Sequence, residues 1–480
     1  MEKEEGGLGG FARRVVREMP RVPLPFLGLG VYRAWIEIAF VGSFVDYPTQ
    51  HMAGHNAFDV AMIATMFLLA FFAPRVTPLH DRRGLAWTAI AALVVATAGS
   101  YFTVWFPGIA MMFAWPCAIL GGAGIAVLIL LWSELYGQLA PVRICLYYAV
   151  SLVVGALVIL VYRGFMLPWL PAMTCLLPIV SLAMLRSCYD GLDARPVAAP
   201  PSAFTFPIKP VAVVAVYSFA FGLQESTAYA SWGPHSSPGM AVCALAVALL
   251  IVLLPRGAAF ESIYGTWLPL LSAAFLVLPA LGFMDDGLTG FCANFGYAAS
   301  EIFVMTMMGS LSFHYGVSAV WLFGIERGVR AMAMVAGRLI DSAAVSAGAS
   351  VAPLVVLAVL AATFMVATER HVSSPWGVQV RDDQESEEAR QAARRTALVH
   401  RCIELGSQQG LSQREEEVLL LLAEGKSAGD IARELLVANG TVKAHVGHIY
   451  QKLDVHSREE LFELMGVVGV GEDAASMPRA

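Results

Sequence analysis

Charge is scarce in this chain of 480 residues: Asp, Glu, Lys and Arg make up 14% of it, where a soluble domain carries about a quarter. With 58% hydrophobic residues and a mean hydropathy of +0.66, that shortage excludes an ordinary soluble globule. Cysteine is sparse as well, at 7 residues. Cys117, Cys145, Cys175, Cys243 and Cys292 lie inside apolar runs with no paired spacing. Neither a disulfide framework nor a zinc site follows, which fits a reducing interior. His51-Met-Ala-Gly-His55 lacks the glutamate of a zinc protease motif and an evident third ligand. Gly425-Lys-Ser427 ends like a phosphate-binding loop, but the glycine such a loop requires is replaced by Leu420. Nothing in the pattern calls for catalysis, a metal or a cofactor. The net charge of −6 says little about partners, because its sign varies along the chain.

What the sequence has in quantity is long apolar runs, concentrated before residue 370. A bilayer crossing needs about 20 such residues, and candidate spans fall at 25–45, 56–74, 85–106, 108–134, 141–162 and 165–186. After a proline-rich break at 194–210, further runs cover 209–230, 238–254, 264–284, 288–310, 322–345 and 348–368. Six plus six helices around a central loop resembles the layout of the major facilitator superfamily. Leu79-His-Asp-Arg-Arg-Gly84, after the second run, loosely resembles that superfamily's Asp-Arg-x-Gly-Arg-Arg loop, shortened and without its leading glycine.

Loop charge gives an orientation. Arg13, Arg14 and Arg17 precede the first run, Arg75, Arg82 and Arg83 follow the second, and Arg143 follows the fourth. Arg186, Arg195 and Lys209 flank the middle loop, Arg256 follows the eighth run, and Arg327 and Arg330 open the eleventh. The opposite loops hold Arg163, Asp285 and Asp286. The positive-inside rule then puts both termini in the cytoplasm of an inner-membrane protein. No cleavable signal pattern follows the basic residues of the first 24 positions, which read as a retained cytoplasmic tail.

Ionisable residues within spans point to function. Arg33 and Glu37 lie one helical turn apart on one face. Glu225 falls in the seventh run, Glu301 in the tenth, Arg338 and Asp341 in the eleventh, and Asp59 near the outer end of the second. In a two-lobed bundle the first and seventh spans line the central cavity. Arg33, Glu37, Tyr217, Glu225 and Glu301 are therefore candidate contacts for a small anionic or aromatic ligand, with Tyr32 and Trp35 nearby. The alternative is an Arg33–Glu37 pair that only holds helices together. Trp105, Trp115, Trp132, Trp169 and Trp267 fit interfacial belts near span ends.

The last stretch is different in kind. Ser412-Gln-Arg-Glu415, Ser427-Ala-Gly-Asp430 and Ser457-Arg-Glu-Glu460 are capping boxes, each opening a short helix. Val418, Leu419 and Leu422, then Ile431, Ala432 and Leu435, then Leu461 and Leu464 give those helices apolar faces. Thr441 to Leu453 contains no proline or acid. Val442, Val446, Ile449, Tyr450 and Leu453 supply its inner stripe, while Lys443, His445, His448 and Lys452 occupy other faces. Two short helices, a tight turn and a longer cationic helix form a helix-turn-helix, whose second helix enters the DNA major groove.

This segment resembles the LuxR-type (GerE-like) DNA-binding domain. The match runs through Leu-Ser-x-Arg-Glu-x-Glu-Val-Leu at 411–419, Ala-x-Gly-Lys-Ser at 423–427 and Ile-Ala at 431–432. It continues through Thr-Val-Lys-x-His-Val at 441–446, Ile-Tyr-x-Lys-Leu at 449–453 and Ser-Arg-x-Glu-Leu at 457–461. The resemblance implies DNA contacts from Thr441, Val442, Lys443, Ala444, His445, Gly447, His448 and Lys452. Lys443 and Ala444 would face bases, and Thr441, His445 and Lys452 would lie near phosphates. Ala438 stands where the family usually has a serine cap, so Asn439 is expected to cap instead. The segment holds more acid than base, so one copy should bind weakly and a homodimer on two half-sites is expected.

Residues 381–395 are charged and free of proline and glycine. With Ala389, Ala392, Thr396, Val399 and Ile403 as a stripe, they read as a helical connector. The expected fold is all-α. A cytoplasmic tail (1–24) precedes a twelve-span membrane domain (25–368, halves 25–186 and 209–368, loop 187–208). A connector (369–408), a four-helix LuxR-type domain (409–468) and a tail (469–480) follow. The expected function is a one-component transcription regulator in the membrane: the bundle senses a small molecule and the head binds double-stranded operator DNA. The rival is a transporter of the major facilitator type with a regulatory DNA-binding tail.

Overall fold

A computed structural model describes residues 22–41, 52–190, 205–229, 233, 235–253, 266–367, 398–399, 401–406, 408–435 and 437–465. His51 and the side chain of His55 lie outside the described residues, as do most of the two terminal tails, the middle loop and the connector. The described residues are helical or irregular and contain no strand.

The apolar part begins with α1 (Gly28–Ile36), α2 (Met52–Phe71), α3 (Arg83–Trp105), α4 (Ala110–Tyr136), α5 (Pro141–Tyr162) and α6 (Leu170–Tyr189). It continues with α7 (Ile208–Gly222), α8 (Pro238–Leu253), α9 (Leu268–Val277), α10 (Asp286–Tyr315), α11 (Ala319–Ser346) and α12 (Ala352–Ala367). Four helices, at Arg83–Trp105, Pro107–Tyr136, Pro141–Tyr162 and Leu170–Tyr189, are long and apolar enough to cross a bilayer. Shorter apolar helices cover Asn56–Phe71, Ile208–Gly222, Pro238–Val252, Leu268–Leu281 and Ala352–Met365.

Packing is specific. Helix α1 lies against α5 and α6, α2 and α3 against α4, and α3 against α6. Helix α7 lies against α11 and α12, α8 and α9 against α10, and α9 against α12. Contacts of α2 with α11, α5 with α8 and α10, and α4 with α11 join the two sets. Small residues permit the closest crossings. A Cβ on Gly30 would stand 2.2 Å from the Ser151 carbonyl oxygen, so α1 and α5 touch backbone to backbone. Gly222 does the same between α7 and α11, where a Cβ would stand 2.3 Å from the Met334 carbonyl oxygen. Leu160, Val161, Leu357, Leu360 and Phe364 point outward and exposed, an arrangement that water would penalise and hydrocarbon would not.

Two expectations need correction. Trp132 is fully buried: α4 closes against α6 there, and its Nε1 donates to Ser181 Oγ at 2.9 Å. Trp105, Trp115, Trp169 and Trp267 are exposed. Arg327 and Arg330 do not flank a span but lie buried within α11.

The C-terminal head comprises α13 (Gln413–Ala423), α14 (Ala428–Glu434), α15 (Asn439–Leu453) and α16 (Arg458–Leu464). Ser412–Glu415 and Ser427–Asp430 form reciprocal capping boxes. At the third, Ser457 Oγ accepts from the Glu460 amide at 3.1 Å. The Glu460 carboxylate, however, reaches the amide of His456 and not that of Ser457. Gly425 (φ 90°) takes the left-handed conformation that ends α13. Val418, Leu421, Ile431, Val442, Ile449 and Leu461 form the head's core. Each contributes about 1.5–3 kcal/mol by leaving water. The helical residues 401–406 adjoin it: Cys402 and Leu405 are buried, with Val399 one turn earlier, whereas Ile403 is exposed and leaves the expected stripe.

Candidate functional site

Helix α15 presents an open face. Thr441, Lys443, Ala444, Gly447 and His448 are exposed along it, and His445 is half-buried. Val442 is not on that face; it is 0% exposed and belongs to the head's core, because the i, i+7 spacing with Ile449 points both inward. Lys452 is exposed, but its ammonium is held 2.8 Å from Glu415 and 2.9 Å from the Gly410 carbonyl oxygen. Its charge is engaged inside the head, against the expected phosphate contact. Burial raises the Glu415 pKa, but hydrogen bonds from Lys452 and Ser412 outweigh that and hold it below its ordinary value. His448 lies 3.7 Å from the same carboxylate.

The start of α15 is bare. Ala438 holds the N-cap position in extended conformation (φ −64°, ψ 143°) and offers no side-chain acceptor. Asn439 is already helical, so it does not cap. At the other end Asp454 turns left-handed (φ 54°), and the Val455 amide donates to the Tyr450 carbonyl at 3.0 Å.

Among the described residues, a hydrogen bond joins the head to the bundle. Arg143, buried at the start of α5, donates to the carbonyl of Glu434, the last residue of α14. The head's own Arg414 donates to the neighbouring Leu435 carbonyl at 3.1 Å. Carbonyls at a helix C-terminus carry partial negative charge, and here a guanidinium from each part meets them.

A cavity of 130 Å³ lies between the two sets of apolar helices, with walls from α1, α2, α4, α10 and α11 and the segment after α7. Arg33, Glu225 and Glu301, three of the candidate ligand contacts, line it. Arg33 donates to Glu301 at 2.7 Å and to the Tyr148 hydroxyl at 3.0 Å. Arg330 donates to the other Glu301 oxygen at 2.7 Å and to the Tyr297 hydroxyl at 3.0 Å. Arg338 binds Asp59 and lies 3.3 Å from Glu225.

Glu37 and Tyr217 are elsewhere. Glu37 keeps α backbone angles and its amide still reaches the Arg33 carbonyl, so the one-turn spacing holds, but each side chain is taken by another partner. Glu37 accepts instead from the amides of His235 (2.6 Å) and Ser236 (2.8 Å). The predicted Arg33–Glu37 pair is thus replaced by Arg33–Glu301. Tyr217 turns toward α9 and donates to the Pro269 carbonyl at 3.0 Å, away from the cavity. Trp35 likewise faces α3, donating to Thr97 at 2.9 Å.

Sequence reasoning missed Arg327, Arg330, Tyr229 and Tyr297 on the cavity wall. The available signal was their position: Glu326, Arg327 and Arg330 fall inside a 28-residue helix, and charges there ask for partners.

Residues 409–465 match the GerE family, described as bacterial regulatory proteins of the luxR family. The chain is 51% identical over 53 residues to the oxygen regulatory protein NreC of Staphylococcus haemolyticus, covering 11% of this chain and 24% of that one. It is 46% identical over 50 residues to the transcriptional regulatory protein DesR of Bacillus subtilis, covering 10% and 25%. The chain thus spans about a quarter of the length of these curated relatives. The head is a LuxR-type helix-turn-helix domain, and the apolar part falls outside the match.

Proposed function

We propose that the chain is a membrane-embedded, one-component transcription regulator. The bundle binds a small molecule, and the head reads operator DNA through Lys443 and Ala444 as a homodimer. The observation that carries this reading is the open, cationic face of α15 on a LuxR-type head within the same chain as the apolar bundle. Both termini are then cytoplasmic, and the bundle sits in the inner membrane.

The packing pattern supports two halves of six helices. Five pairings within α1–α6 recur six helices later: α1–α5 as α7–α11, α1–α6 as α7–α12, α2–α4 as α8–α10, α3–α4 as α9–α10 and α3–α6 as α9–α12. The glycine crossings repeat in the same way, Gly30 on α1–α5 and Gly222 on α7–α11. The cavity at the junction is where such folds hold small molecules. Arg143 supplies a route by which a change in the bundle reaches the head. A ligand shifts that equilibrium only if it prefers one arrangement of the halves.

Chromatin immunoprecipitation of the full chain tests the proposal. Discrete operators should be enriched, and Lys443→Ala should reduce the enrichment while leaving the protein in the membrane. Genome-wide absence of enrichment refutes it. The charged cavity also favours a second reading, a transporter with a regulatory tail. Solute uptake by proteoliposomes, lost in Glu225→Gln, would support that one.

A further inference from the structure

The arginines and carboxylates of the cavity wall are paired. Arg33 and Arg330 each lie 2.7 Å from Glu301. Arg330 also reaches Glu326 at 3.2 Å, and Arg327 lies 3.5 Å from Glu326. Asp59 and Glu225 both meet Arg338. A charged ligand therefore has to compete with a group already in place, and separating a buried pair is costly. Buried atoms of both kinds lack a hydrogen-bond partner here, among them Arg33 Nε, Arg338 Nε and Glu225 Oε2, so the wall favours neither sign of charge. Much of the remaining lining is apolar: Phe58, Met62, Met66, Ile129, Met334 and Val335 border the space, together with three tyrosines.

We propose that the cavity binds a small uncharged aromatic molecule, a single ring with at most a hydroxyl group. This rests on reading the bundle as a small-molecule receptor and adds the chemical class of ligand. The volume sets the scale: a cavity of about 150 Å³ holds a benzene-sized molecule, so 130 Å³ suits one ring and excludes two. Three features select an aromatic ring over an aliphatic one of equal size. Thioethers such as those of Met62, Met66 and Met334 make favourable contacts with ring edges. Phe58 and the tyrosines offer rings to pack against. Arg33 and Arg330 already lie over the rings of Tyr148 and Tyr297, at 6.0 and 5.9 Å, and a ligand ring gives a guanidinium another face without displacing its carboxylate. A hydroxyl both donates and accepts, which suits a wall with open atoms of both kinds.

The test uses the full chain in nanodiscs and calorimetric titration with phenol, benzoate, benzylamine and cyclohexanol. Empty nanodiscs supply the baseline, because uncharged rings also enter lipid. Phenol should bind saturably and about tenfold more tightly than either charged ring, a difference of about 1.4 kcal/mol, and more tightly than cyclohexanol. Ala331 borders the cavity, so Ala331→Phe should fill it and weaken phenol binding at least tenfold. Equal binding of benzoate, benzylamine or cyclohexanol, undiminished phenol binding in Ala331→Phe, or no phenol binding above the baseline overturns the proposal. The comparison among probes on the unaltered chain stands even if the variant misfolds. An operator footprint in the same nanodiscs separates the two readings. A footprint without the preference for phenol removes only this inference. Its absence with and without every probe removes the regulator.

Discussion

Ala438→Ser should stabilise the head, and the size of the effect follows from three N-termini in one domain. Ser412 (φ −74°, ψ 155°) and Ser427 (φ −75°, ψ 158°) each accept from the backbone amide three residues on. Ala438 has nearly the same backbone (φ −64°, ψ 143°) with no acceptor. A serine hydroxyl there can reach the Thr441 amide, which now donates only to the Ala438 carbonyl at 2.9 Å. Ala438 is exposed, so the added oxygen displaces no packed atom. Such a cap is worth ~1 kcal/mol. In a domain of this size that raises the melting temperature by about 4–8 °C. Thermal unfolding of residues 398–465 measures it. Ala438→Val is the control, filling the position without an acceptor. If valine raises the melting temperature as much as serine, or serine leaves it unchanged, the capping argument fails. The gain should extend to DNA: with the first turn of α15 less frayed, operator affinity should rise up to about fivefold for ~1 kcal/mol.

Lys443→Ala should weaken operator binding by ~1–3 kcal/mol in a footprint titration and leave head stability unchanged, while Val442→Ala, a core truncation, should lower stability by about 1–3 kcal/mol. The depressed pKa of Glu415 means the folded head favours its ionised form. That contribution is complete above the ordinary value of 4.5 and is lost as pH falls through the folded value. Melting temperature against pH should therefore fall on that acid side, and Glu415→Gln should flatten the fall. Arg143→Ala removes the donor to Glu434; amide exchange at the α14–α15 turn should accelerate about tenfold or more, for a charged hydrogen bond worth ~1.5–3 kcal/mol.

The head was almost fully legible from sequence because its signals are local. A capping box occupies four residues, and an apolar stripe repeats within one helix, so Ser412, Ser427 and the Val442–Ile449 stripe could be read without knowing what they touch. Assigning Val442 also to the groove face contradicted that stripe, and burial decides between the two. Lys452 shows where local reading stops: its partner Glu415 lies 37 residues away on another helix. The apolar part reverses the balance. Helix positions followed from hydropathy, but which side chain meets which did not. Arg33 and Glu37 satisfied the helical spacing rule and still failed to pair, because Glu301 and the His235 and Ser236 amides, all distant in sequence, take the two side chains. Arg327 and Arg330 were read as loop charges because hydropathy dips where they stand, though the helix runs through.

Two other arginines help join the two sets of helices. Arg33 on α1 meets Glu301 on α10, and Arg338 on α11 meets Asp59 on α2. Each pair crosses the junction, and removing one partner of a buried pair costs about 3–5 kcal/mol. The observed arrangement of the halves is therefore tied to charge pairing and not only to apolar contact, which lipid would supply equally well. Apolar packing alone would let the halves slide with little penalty; ion pairs hold them in register until another charged group competes for the same side chains. A charged group that took up Arg33 would compete with Glu301 for it and weaken that crossing. Arg33, Glu301 and Asp59 thus both line the cavity and join the two sets of helices.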